Sequence, residues 1–200
     1  ERCQGAGCSS FVQIATPTGT TFGDPGLTPS TSYSYRVKAV DAATNVSVNY
    51  SNVSGASTQA DTTPPSDVTG LAATAVSATQ IDLSWIAATD NIAVTGYQVE
   101  RCQGAGCSTF AQIATPSTPS YSDPGLTANT SYSYRVKAVD AATNVSVNYS
   151  NVSGASTQAD TTPPSDVTGL AATAVSATQI DLSWIAATDN IAVTGYQVER

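Results

Sequence analysis

The chain has 200 residues, 40% of them hydrophobic and only 11% charged, with a formal net charge of −8 and no histidine. That length holds one or two domains, and the excess of acid repels phosphate backbones and anionic lipid, which argues against nucleic-acid and membrane-surface partners. No run of about 18 apolar residues is present, so no membrane insertion is expected, and Glu1-Arg2 are not followed by an apolar leader, as in an internal or processed segment.

The first element, Glu1-Arg2-Cys3-Gln4-Gly5-Ala6-Gly7-Cys8, returns as Glu100 to Cys107, an offset of 99 residues. Residues 1–101 and 100–200 differ at ten positions, all between 10 and 30, and from Thr31 onward the copies are identical. A period of this length is the size of one globular domain rather than of a solenoid unit. Two prolines in Asp61-Thr62-Thr63-Pro64-Pro65-Ser66-Asp67 fix φ and end the preceding strand, so the linker falls here and again at Asp160–Asp166. Residues 1–61 then read as the C-terminal part of one domain, 62–160 as a complete domain and 161–200 as the N-terminal part of a third. Both chain ends fall inside a domain. The expectation is either a window of a longer array or subunits that complete one another head to tail.

Within the central period, Val68 to Ala75 predicts a first strand kinked at Gly70, and Gln80 to Trp85 alternates, with Ile81, Leu83 and Trp85 on one face. Ala88-Thr89-Asp90-Asn91 is a loop. Val94 to Arg101 alternates again with Tyr97 and Val99 inward, and Phe110 to Ala114 returns antiparallel after a tight connection. Tyr121-Ser122-Asp123-Pro124-Gly125-Leu126 predicts a turn. Ser131 to Val139 is the longest alternating strand, with Tyr132, Tyr134, Val136 and Ala138 inward. Asp140 to Asn144 turns the chain, and Val145 to Thr157 supplies the last strand. About seven short strands with turns every 8–12 residues make a sandwich.

Trp85 in the second strand, Tyr97 in the third, and Leu126-Thr-Ala-Asn-Thr-Ser-Tyr132-Ser-Tyr134-Arg-Val136 resemble a fibronectin type III domain. The resemblance implies an all-β fold of tandem seven-stranded Greek-key sandwiches, immunoglobulin-like in class. It implies a tyrosine corner in which Leu126 precedes Tyr132 by six residues and the hydroxyl bonds nearby backbone. Trp184, Tyr33 and Tyr35 hold the matching positions in the flanking copies. The linker string and Ala-Thr-Asp-Asn-Ile-Ala-Val-Thr-Gly-Tyr further resemble the bacterial branch of the family, found in secreted polysaccharide-degrading enzymes and surface proteins. There is no Arg-Gly-Asp tripeptide to support integrin binding, and paired cysteines are not a family feature.

The four cysteines form two Cys-x4-Cys pairs. Zinc would require histidine to complete a four-ligand set, and a redox motif would require Cys-x-x-Cys. Disulfides Cys3–Cys8 and Cys102–Cys107 are therefore expected, at the base of a hairpin turn where facing residues of an antiparallel pair come within bridging range, and they imply an oxidising, extracellular or cell-surface setting. Without histidine the usual triads and most metal-hydrolase sites are missing, so no catalytic and no cofactor-binding residue is assigned. No cofactor is expected beyond Ca²⁺, for which the linker acids Asp61, Asp67, Asp160 and Asp166 are the candidates. Sequons occur at Asn45, Asn49, Asn52, Asn129, Asn144, Asn148 and Asn151. Tyr50 and Tyr149 are the aromatics left for sugar stacking.

The main functional expectation is structural: near-identical tandem domains build an extracellular filament, stalk or adhesin whose partners are neighbouring copies of the same domain. The alternative is an accessory linker or carbohydrate-contacting module of a secreted polysaccharide-degrading enzyme. A third reading, a binding module for glycan or host protein, would use the variable positions 10–30.

Overall fold

The computed structural model describes all residues 1–200. It contains twelve strands and no helix. By contact the chain divides into two compact units: Glu1–Ser66, Thr89–Thr95 and Ala138–Val147 in one, and Asp67–Ala88, Gly96–Lys137 and Asn148–Arg200 in the other.

The strands are β1 Arg2–Gln4, β2 Ser32–Tyr35, β3 Ser54–Ser57, β4 Thr69–Ala75, β5 Gln80–Ile86, β6 Val94–Gln103, β7 Ala111–Ala114, β8 Ser120–Pro124, β9 Ser131–Asp140, β10 Ser153–Ser156, β11 Thr168–Ser176 and β12 Gln179–Ile185. Strands β4 to β10 form the seven-stranded sandwich, one sheet ordered β4-β5-β8 and the other β10-β9-β6-β7. Its core is apolar and aromatic. Ile81, Val99, Tyr134, Val136 and Ala138 have no exposed surface, and Leu71, Leu83, Trp85, Tyr97, Leu126 and Tyr132 are buried. In β9 every second residue from Tyr132 to Asp140 is buried, the period-2 pattern of a strand with one face on a core. Trp85 packs edge-on against Tyr97 with ring centroids 5.2 Å apart, a preferred aromatic geometry.

The kink expected at Gly70 is a bulge between Thr69 and Ala72 in the β4–β5 register. Gly70 has φ +67°, and a Cβ there would lie 3.0 Å from Ile86 Cγ1, so both conformation and space call for glycine. Two expectations are corrected. Tyr121 to Pro124, read as a turn, is strand β8, paired with β5 from Gln80↔Pro124 to Ser84↔Ser120. Pro is tolerated there because it is the last residue of a strand at the sheet edge, and the turn begins only at Gly125, with φ +73°. The final strand is also shorter, with only Ser153–Ser156 in the ladder.

The 99-residue repeat reappears as repeated geometry. Strands β1, β2 and β3 form a three-stranded sheet whose Tyr35↔Ser54 register matches Tyr134↔Ser153. β11 and β12 pair as β4 and β5 do, with Thr168↔Ile185 matching Thr69↔Ile86. Burial is not repeated: Ile81 is 0% exposed and its copy Ile180 is 64% exposed. Local sequence sets the hairpin, whereas a second sheet sets the core.

Candidate functional site

Four groups of side chains stand out. In the first unit, Asp61 from the linker, Asp90 from the β5–β6 loop and Asp140 from the end of β9 each bring one carboxylate oxygen within 4.8 Å of the others. Asp61 Oδ1 accepts from Thr63 N at 3.1 Å and Asn91 Nδ2 at 3.2 Å. Asp90 Oδ2 accepts from Ile92 N at 2.8 Å and Ala93 N at 3.1 Å. Asp140, only 2% exposed, accepts from Asn144 N and Nδ2 at 2.8 and 2.7 Å. Asp61 Oδ2 and Asp90 Oδ1 are enclosed and meet no hydrogen-bond donor. Two unit charges at this spacing repel by roughly 3.5 kcal/mol at an effective dielectric constant of about 20, so three acids here need compensation. Four of the five arginines are engaged elsewhere, Arg2, Arg36, Arg101 and Arg135 pairing with Asp24, Glu1, Asp123 and Glu100.

Only one of the linker acids expected to hold a cation, Asp61, joins this cluster. Asp67 instead accepts from Asn148 N and Nδ2, both at 2.8 Å, and the Asn148 amide holds its carboxyl below the usual range. Asp160 repeats the Asp61 bonds, accepting from Thr162 N and Asn190 Nδ2. The sequence reading missed Asp90 and Asp140. The alternation that points Tyr132 to Ala138 inward extends to Asp140, and that phase was the available sign.

The cysteines are joined as Cys3–Cys8 and Cys102–Cys107, with Cα atoms 6.0 Å apart in each. The bridges are not cross-strand pairs. The β6–β7 register sets Arg101 against Ala111, so Cys102 faces the residue at 110 and its sulfur reaches instead to Cys107 in the connecting loop. Gly104 and Gly106, with φ +104° and +68°, let six residues fold back on one strand end.

Tyr149 is not an open stacking platform. Arg135 lies 3.7 Å from its ring centre and 4.4 Å from that of Phe110, while Glu100 binds both Arg135 and the Tyr149 hydroxyl. Tyr50 is covered in the same way by Arg36, beside Phe11 and Glu1. Four of the sequon asparagines also serve the fold: Asn45 Nδ2 donates to Asp41, Asn144 Nδ2 to Asp140, Asn148 Nδ2 to Asp67 and Asn151 Nδ2 to Leu71 O.

Trp85, Tyr97, Leu126, Tyr132, Tyr134 and Tyr33 are buried, whereas Tyr35 and Trp184, expected in the core, are only half-buried because the flanking copies lack a complete second sheet. Tyr132 OH accepts from Thr127 N at 3.0 Å and Tyr33 OH from Thr28 N at 3.0 Å, the corner geometry, with Leu126 buried beside the first. Tyr134 OH donates to Asp123 at 2.8 Å, and Arg101 Nη1 reaches both Asp123 oxygens at 3.0 Å. Tyr35 repeats this with Asp24 at 2.9 Å. Burial first, and then the bond to Asp123, push the Tyr134 phenol far above its usual range. Trp184 keeps its edge contact with Tyr196, at 5.3 Å. The ten positions that vary between copies map onto 109, 111, 117–122, 128 and 129 of the central sandwich, none of them buried, while buried Asp123 and Leu126 are kept.

Comparison with known proteins agrees with this geometry. The chain is 44% identical over 142 residues to chitinase A1 of Niallia circulans, covering 69% of this chain and 19% of that protein. It is 45% identical over 141 residues to exoglucanase B of Cellulomonas fimi, covering 68% of this chain and 12% of that protein, and 47% identical over 86 residues to an alpha-amylase of Niallia circulans, covering 43% and 6%. The chain thus spans less than a fifth of these relatives. Among solved structures, a chitinase of Bacillus thuringiensis is similar over 50% of this chain and 14% of that one, at 31% identity and a TM-score of 0.41. The sixth fibronectin type III domain of human fibronectin type III domain containing protein 3 is similar over 54% and 98%, at 24% identity and a TM-score of 0.43. The family model of the fibronectin type III domain matches residues 63–153, and this segment belongs to that family, in its bacterial form.

Proposed function

We propose that this chain is a non-catalytic spacing module of a secreted bacterial polysaccharide-degrading protein. One observation carries the reading. Similar sequence recurs in relatives named chitinase, exoglucanase and alpha-amylase, and the match covers 19%, 12% and 6% of them. A segment shared by enzymes named for different substrates is not what selects the substrate. The filled core and the engaged surface tyrosines support a spacing role over a sugar-contacting one. The disulfides fit an extracellular setting. The test is to incubate the chain with insoluble chitin and with cellulose, measuring released reducing ends and depletion from solution. Neither is expected, and either hydrolysis or saturable adsorption would contradict the reading.

A second reading, a longer structural array forming a filament or stalk, is favoured by the complete identity of residues 31–101 and 130–200. Electron microscopy of the parent material tests it: uniform fibres support it, and dispersed particles contradict it.

A further inference from the structure

We infer that Asp61, Asp90 and Asp140 form a Ca²⁺ site that ties the linker to the loops beside it, an inference independent of the spacing role. The acids converge from three separate segments of chain, and one oxygen of each lies within 4.8 Å of the others. Two oxygens facing no donor, Asp61 Oδ2 and Asp90 Oδ1, are each enclosed from solvent. A buried carboxylate oxygen without a donor is costly, and a cation held among the three acids would relieve that cost. The other oxygens are already oriented by backbone N–H groups and by Asn91 and Asn144, the outer contacts that hold ligands in place. The half-enclosed Asp189 repeats the Asp90 arrangement, with Oδ2 held by Ile191 and Ala192 and Oδ1 again enclosed without a donor. The turn that encloses this oxygen therefore recurs with the sequence, whereas the three acids converge only at Asp61, Asp90 and Asp140.

The donor set names the ion class. It is oxygen only, because the chain has no histidine and its cysteines are all in disulfides, which leaves hard cations. Oxygens within 4.8 Å of one another accommodate an ion held at about 2.4 Å, the Ca²⁺ distance, whereas Mg²⁺ demands a tighter octahedral shell and gives up its water reluctantly. Bound there, Ca²⁺ would fix Asp61, three residues before the two linker prolines, against the β5–β6 loop and the end of β9.

The test is calorimetric titration of CaCl2, and separately MgCl2, into the chelator-treated 200-residue chain. The expected result is one saturable Ca²⁺ site per chain with Kd between about 10⁻⁵ and 10⁻³ M, with much weaker binding of Mg²⁺. The thermal midpoint should rise with added Ca²⁺ and return on chelation. Asp61→Asn and Asp90→Asn, which keep an oxygen for the existing N–H bonds, should each weaken Ca²⁺ binding tenfold or more. Asp67→Asn, outside the cluster, should leave it unchanged. The midpoints measured in chelator show whether each variant is folded. Absence of saturable binding up to about 10 mM CaCl2, equal affinity for Mg²⁺, or unchanged affinity in the folded Asp61→Asn, Asp90→Asn double variant would each overturn the assignment.

Discussion

Asp123 is the most consequential charge in the sandwich, because it is 3% exposed and yet holds both Arg101 and the Tyr134 hydroxyl. Removing one partner of a buried pair leaves the other uncompensated, so Asp123→Ala should cost about 3 kcal/mol, read as a fall in the urea midpoint with an unchanged slope. Tyr134→Phe should cost less, about 1–2 kcal/mol, since Arg101 still satisfies the carboxylate. The same residue sets an alkaline limit. Its folded phenol titrates far above the unfolded value, mainly through burial. Below the unfolded value near 10 both states are protonated and the stabilisation is fully present; as pH rises further the unfolded chain ionises first, and stability falls. Denaturant midpoints measured from pH 8 to 11 should decline above about pH 10, and the decline should be shallower in Tyr134→Phe. An equal slope in the variant would assign it to other tyrosines, among them Tyr149, whose phenol is raised first by its bond to Glu100.

At the scale of elements, two devices hold strands that their own ladders leave open. Asn151 binds Leu71 on both sides, accepting from its N–H at 3.1 Å and donating to its carbonyl at 3.0 Å. Asn151→Ala leaves two polar groups at buried Leu71 without partners and should cost about 2 kcal/mol in thermal or chemical unfolding; Asn151→Asp, which retains only the acceptor, should fall between. The Cys102–Cys107 bridge closes a loop of only six residues, so reducing it should lower stability by no more than about 2 kcal/mol and leave the sandwich folded, as near-ultraviolet circular dichroism would show. The inward faces of β5, β6 and β9 were legible because period-2 alternation is a direct consequence of the pleat. β8 was not, since Tyr121-Ser122-Asp123-Pro124 carries turn-forming residues, and only its ladder to β5 makes it a strand. The acid cluster was half legible: Asp61 announced itself in the linker, whereas Asp90 and Asp140 meet it through tertiary placement that spacing along the chain does not encode.

For the whole molecule, the contrast between Ile81 and Ile180 separates two kinds of information. An identical segment folds into the same hairpin in both places, yet becomes core only where β8 and β9 complete the sandwich. The repeat and the family were readable because they are written in local sequence. The functional setting was not, because a filled sandwich serves equally in an array or between enzyme domains. The direct measurement joins one chitinase catalytic domain to one chitin-binding domain in two ways, directly and through this chain, and compares rates on insoluble chitin and on a soluble oligosaccharide. A spacing module predicts a gain of about twofold or more on the insoluble substrate through simultaneous engagement, with the soluble rate unchanged. Equal rates on insoluble chitin, or a changed rate on the soluble substrate, would contradict it.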